Sequence, residues 1–210
     1  SLSVACRKGF VKAGLVERLM TLCLITDTEG KLAMPHQVIA SCIAVLANLA
    51  YEPRNGREMI ELGVPKFLVK LLDLCRSGAV VSHICMCIRN MAMRKSTPDW
   101  QSWLTEKDEK HQNVFGEANA LKVLVDLCRR YMPPNNDNFV IEHILNCLVA
   151  LVWNHPKNRM RMSNKDIIDI SVITSLASHG PRLNAEIRQR LAILLADLAQ
   201  LPTMRLKLAE

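Results

Sequence analysis

Between residues 36 and 50 the apolar side chains Val38, Cys42, Val45, Leu46 and Leu49 return at the three- and four-residue spacing of one helix face. The run ends at Glu52–Pro53, because a residue before proline avoids the α region. Asn55, with Glu58 three residues on, reads as a capping box that opens a short helix. Gly63 reads as the left-handed residue that closes it. Pro65 follows near the start of a third helix, where its missing N–H costs little, and Leu68, Leu71 and Leu72 supply that helix's apolar face. The pattern predicts three helices, long, short and medium, in about forty residues.

The same grammar recurs along the chain. RKGFVKAGLVERLMTLC places Gly14 and Leu19 where the best-formed unit has Gly63 and Leu68. NVFGEANALKVLVDLC puts Asn119 in the turn, and Asn is the other residue that tolerates a left-handed conformation. SNKDIIDISVITSLASHG has no such glycine. The expected organisation is one domain over 1–210. Its units are 1–35 (partial), 36–78, 79–138 with an insertion at 94–113, 139–183, and 184–210 (partial). Neither end reads as a polar cap, so the expectation is that further repeats flank the chain or that its ends pair with a second copy.

A polar residue stands near the end of each long apolar run: Asn48, Asn90, Asn154 and Asp197, at intervals of 42, 64 and 43 residues. The middle interval is one period carrying the insertion. A buried amide on an apolar helix is costly, so four at one place predict a row of hydrogen-bonding groups on one surface.

The segment IASCIAVLANLAYEPRNGREMIELGVPKFLVKLL resembles the armadillo repeat family, and the likeness extends over most of the chain. The resemblance implies an all-α, right-handed α-solenoid of three-helix repeats, with 36–50, 79–93, 139–154 and 184–199 as the groove-lining third helices. It also implies a protein or peptide partner held along the concave groove, with the backbone of an extended peptide bonded by Asn48, Asn90 and Asn154. Asp197 departs from the pattern, since an ionised carboxylate only accepts. Seven residues before ladder positions lie Ser41, His83, Cys147 and Arg190, and four after Asn90 lies Arg94. These complete the candidate groove. On that reading Asn90→Ala weakens a peptide by about 1 kcal/mol and leaves the fold intact. The alternative is that these side chains satisfy neighbouring backbone. Importin-α-like members carry Trp four residues before each Asn. Here those places hold Ala44, Met86, Ala150 and Ile193, which argues against nuclear-import reception.

Composition adjusts this picture only slightly. Aromatic residues make up 4% of the chain, which suits stacked aliphatic helices better than sheet. Two of the three tryptophans, Trp100 and Trp103, fall in the insertion. They form either a partner-binding patch or a cover for the solenoid edge. The net charge of +7 is spread out, without a basic run. Eight cysteines, none in a C-x-x-C pair and most in apolar stretches, read as buried free thiols of a reducing intracellular compartment, cytoplasmic or nuclear. No apolar run is long enough to cross a membrane. No phosphate loop, metalloprotease or nucleophile-elbow motif is present. His83/Cys87 and His143/Cys147 have metal-compatible spacing without further ligands, so no metal and no cofactor is expected. The expected function is a non-enzymatic interaction scaffold that binds an extended or helical peptide of a partner. Its rival is single-stranded RNA binding, against which stand the few aromatics and the absence of a basic stripe.

Overall fold

The computed structural model describes residues 4–93, 108–132, 137–164, 166–179 and 183–209. Thirteen helices occur among them. The first unit is α1 (Val4–Lys12), α2 (Leu15–Cys23) and α3 (His36–Ala50). The second is α4 (Pro53–Glu61), α5 (Val64–Leu74) and α6 (Gly78–Ala92). The third is α7 (Glu109–Glu117), α8 (Ala120–Tyr131) and α9 (Asn138–Val152). The fourth is α10 (Pro156–Ser163), α11 (Ser171–Ser178) and α12 (Ala185–Leu198), after which α13 (Pro202–Ala209) begins another.

Like helices stack on like. α3, α6, α9 and α12 form one continuous layer with the most extensive contacts in the molecule. α1, α4, α7 and α10 form a second row, and α5, α8 and α11 a third.

The turn residues behave as their chemistry predicts. Gly14, Gly63 and Asn119 hold φ of 74°, 80° and 64°, each turning the first helix of a unit into its second. An isolated bridge pairs Thr26 with Leu32 in the α2–α3 loop.

Two local expectations are corrected. The buried face of α3 is Ile39, Cys42, Ile43, Leu46 and Leu49. Val38 is 39% exposed, so the face lies partly to one side of the predicted one. Asn55 does not cap α4, because Pro53 starts the helix and Asn55 sits inside it, almost wholly buried.

The end of the expected insertion, residues 109–113, is the start of α7, with the Asp108 side chain accepting from the His111 N–H as its cap. Arg94, Trp100 and Trp103 lie outside the described residues. All eight cysteines are free thiols, and only Cys6 is exposed. Burial, reinforced by neighbouring Cys42, pushes the Cys23 thiol up to about 12, so it stays protonated and behaves as a small hydrophobe.

Candidate functional site

The layer of long helices has a common register. Counted from the first residue of each, Asn48, Asn90 and Asp197 all occupy the thirteenth place of α3, α6 and α12. The thirteenth place of α9 is Ala150, not Asn154. Asn154 lies beyond the end of α9 in the turn to α10, at φ 47°. Asn154 therefore stands four residues, about one helical turn, past the place the other three share.

Two of the expected groove groups are used inside the fold. Asn90 is 7% exposed, and its Nδ2 donates to the Ala47 carbonyl at 2.9 Å. Arg89 donates to its Oδ1 at 3.3 Å. Asp197 is 1% exposed and accepts from the Asn154 main-chain N–H at 3.1 Å. The guanidinium of Arg159 stands 3.6 Å from the same carboxylate, and both side chains are buried. These groups bind one long helix to the end of its predecessor. Asn48, at the same register in the first unit, is exposed.

A second polar row, which sequence patterning missed, explains why such residues recur. After three of the four long helices, the third residue of the following short helix serves the penultimate carbonyl of the long helix before it; after α12 that place is the apolar Met204. Asn55 donates to Leu49 O at 3.1 Å. His111 Nδ1 lies 2.8 Å from Met91 O. Asn158 donates to Leu151 O at 2.8 Å and also to Gln112 O. Gln112 in turn donates to Ala150 O at 2.7 Å. The last four carbonyls of a helix have no partner within it, and an unmet buried carbonyl costs about 1–3 kcal/mol. The signal was present in sequence as Asn55, His111 and Asn158 at the same point of three short helices, but Asn55 reads there as a cap.

What the layer leaves open is a line of side chains one and two turns before that register. Seven residues before it stand Ser41, His83, His143 and Arg190. Four before it stand Ala44, Met86, Asn146 and Ile193. Ser41 is exposed and returns its hydroxyl to Gln37 O. His83 is half-buried, with Nδ1 2.7 Å from Ala79 O. Cys147, proposed in the same relation, is wholly buried, and His143 takes its place on the line. Arg190 is 9% exposed. Phe139, one turn before His143, is 61% exposed, and its ring meets the imidazole at 4.5 Å between centroids.

The electrostatics of this line are mutually coupled. Burial holds His143 below the ordinary imidazole value, and nearby Arg89 and His83 push it the same way. Burial also lowers Arg89, and Arg190 across the layer adds to that shift. Arg190 is lowered by burial and supported by Glu142 and Glu186. Among the described residues no three His, Cys, Asp or Glu side chains converge as a metal site would require.

A separate hollow lies between the short-helix rows of the third and fourth units. It has about 380 Å3 and is lined by Gly116, Asn119, Leu121, Met160, Arg161 and Ile167 among others. Arg161 there is already engaged by Asn113 and Asn158.

No family model and no curated protein matches the chain. Solved structures do. A designed armadillo repeat protein superposes with a TM-score of 0.70 at 20% identity, covering 97% of this chain and 73% of its own. A computationally designed armadillo repeat protein for modular peptide recognition gives 0.71 at 20% identity over 97% of this chain and 73% of that one. A further designed armadillo repeat protein, in complex with the peptide (KR)4, gives 0.65 at 17% identity, covering 91% of this chain and 66% of its own. The fold is an armadillo-type, all-α solenoid.

Proposed function

We propose that the protein is a non-enzymatic scaffold that binds an extended segment of a partner protein across the open face of its long helices. One observation carries this reading: four stacked helices leave side chains at the surface along a single line, from Ser41 and Asn48 through His83 and Met86 to His143 and Ile193. Each rung is one repeat from the next, so a chain laid across the helices meets a new set of side chains at every unit. A stack of repeats that contact only their neighbours offers a long shallow surface of this kind rather than an enclosed cleft. Two structures of the same architecture support the choice of ligand, one in complex with a peptide and one designed for peptide recognition.

On this reading Asn48, Ser41, His83 and Arg190 contact the partner. Asn90 and Asp197 shape the groove from within, because their polar atoms already serve the backbone. Helices Gly78–Ala92 and Asn138–Val152 form its centre. No helix among the described residues is long and apolar enough to cross a membrane.

The test is to select binding peptides from a displayed random library and map one by hydrogen exchange. Protection confined to α3, α6, α9 and α12 is the expected result. Protection confined to the short-helix row α4, α7 and α10 would overturn the proposal.

A further inference from the structure

We infer that two copies of the chain pair about a two-fold axis through the outer face of the first unit, burying Phe10, Val38 and Val45. The pairing goes beyond the groove reading and does not depend on it.

Register singles out this face. Val38 and Val45 hold the third and tenth places of α3. The same two places hold Val80 and Cys87 on α6, Val140 and Cys147 on α9, and Ile187 and Leu194 on α12. Every one of those counterparts is at most 1% exposed. Val38 is 39% exposed and Val45 is half-buried. Phe10 repeats the contrast at the seventh place of α1, where it is 41% exposed. Met59, Phe115 and Met162, at that place of α4, α7 and α10, are wholly buried.

Hydrogen bonds show what covers these places in the later units. One turn past Cys87, Asn90 reaches the Ala47 carbonyl of the preceding long helix. One turn past Leu194, Asp197 accepts the Asn154 N–H. One turn before Met59, Phe115 and Met162, the side chains of Asn55, His111 and Asn158 serve the preceding long helix as well. Residues three or four apart share a helix face. These places therefore face the preceding unit, and in the first unit the matching face is open. α1 and α3 pack on each other, so Phe10, Val38 and Val45 stand together on one end of the stack.

Composition marks the same face as one that is covered. α3 carries no Asp, Glu, Lys or Arg, although each of the other long helices carries at least one. Interface centres lose charged residues in this way and gain aromatic ones such as Phe10. Lys12 on α1 shares its place with Glu61 and Glu117, all three exposed, so it points away from the patch.

The occupant follows from the far end of the stack. There α13 packs on α12, in the place that α1 of a second copy would need. Copies therefore cannot add head to tail, and the first-unit face pairs with itself. Across a two-fold axis the two α3 helices run antiparallel, and Val38 of one copy meets Val45 of the other.

Sedimentation equilibrium under reducing conditions, from about 1 μM to about 200 μM chain, tests the pairing. The mass should rise from one chain to two and no further. Val38→Asp with Val45→Asp should raise the dimer dissociation constant at least about tenfold, and Phe10→Asp alone should act in the same direction. Met160→Asp with Ile167→Asp places the same charges on exposed apolar positions of the fourth unit and should change it less than about twofold. Circular dichroism checks that each variant is folded. Cys6, the one exposed thiol of the eight, stands one turn before Phe10 and gives a readout on the unmodified chain. Its alkylation should slow as the dimer fills.

A single-chain mass throughout the range overturns the proposal. So does a dimer that the Phe10, Val38 and Val45 variants leave intact, or that the Met160/Ile167 variant weakens equally. Growth beyond two chains overturns the two-fold arrangement, since a head-to-tail contact propagates and an isologous one closes. Should the Asp variants fail to fold, Cys6 decides: an alkylation rate that stays constant while the mass doubles overturns the face.

Discussion

The side-chain amide of Asn90 donates to the main-chain carbonyl of Ala47, 2.9 Å away and 43 residues earlier. One repeat thus reaches back to complete the helix end of the repeat before it. Sequence reasoning assigned this amide to a ligand, with the fold indifferent to its loss. Its burial reverses the expectation. Asn90→Ala should destabilise the protein by roughly 1–3 kcal/mol, the cost of a buried carbonyl left unmet. Asn48→Ala, at the same register but exposed, should stay within about 0.5 kcal/mol of the parent. Urea unfolding of both variants checks the contrast, and equal effects would remove the distinction between them.

The Arg159–Asp197 pair makes a sharper case. Both side chains are buried, and the carboxylate also receives the Asn154 N–H. Removing one member of a buried pair strands the other, at about 3–5 kcal/mol. Asp197→Ala is therefore expected to cost more than Asn90→Ala, with chemical denaturation as the readout. A loss below about 1 kcal/mol would mean that water takes over the guanidinium.

These residues mark the limit of what the chain discloses by pattern. The long helices and the turns at Gly63 and Asn119 were legible, because periodicity and left-handed backbone each leave a residue-specific trace. The armadillo-type solenoid was what the resemblance of residues 39–72 to that family implied, and the structural likeness bears it out. The partition of polar residues was not legible. An amide facing water and an amide capping a carbonyl look identical in sequence, and helical spacing fixes a face without fixing what occupies it. Register failed at Asn154 because it stands four residues, about one helical turn, past the shared place, so it fits the same periodicity although the helix has already ended, and the matching place fell to Ala150.

Close packing between units gives a test independent of any ligand. A Cβ added at Gly116 on α7 would collide with Asn158 Oδ1 and stand 2.5 Å from Arg161 Nη1 on α10. Asn158 cannot yield freely, since its Nδ2 holds both Leu151 O and Gln112 O. Gly116→Ala is expected to destabilise by about 1–3 kcal/mol as α7 and α10 are forced apart. Gly9 on α1 has nothing within 4 Å of the same added atom. There Ala should stabilise by up to about 1 kcal/mol through helix propensity. Thermal melts of the two variants should shift in opposite directions, and a shared direction would contradict the packing described.

Acid stability should report on the rung beside Asn146. His143 resists protonation in the folded chain because burial disfavours the cation, with Arg89 and His83 on α6 adding repulsion. Arg190 on α12 and Glu142 on α9 belong to the same cluster. The unfolded chain meets none of this and takes up the proton near the ordinary imidazole value. Folding is therefore favoured above that value and loses stability as pH falls from about 7 towards 5, since the unfolded state binds the extra proton. His143→Gln removes the difference. Its urea midpoint should fall less than the parent's between those two pH values, and identical falls would show that His143 does not titrate as its surroundings require.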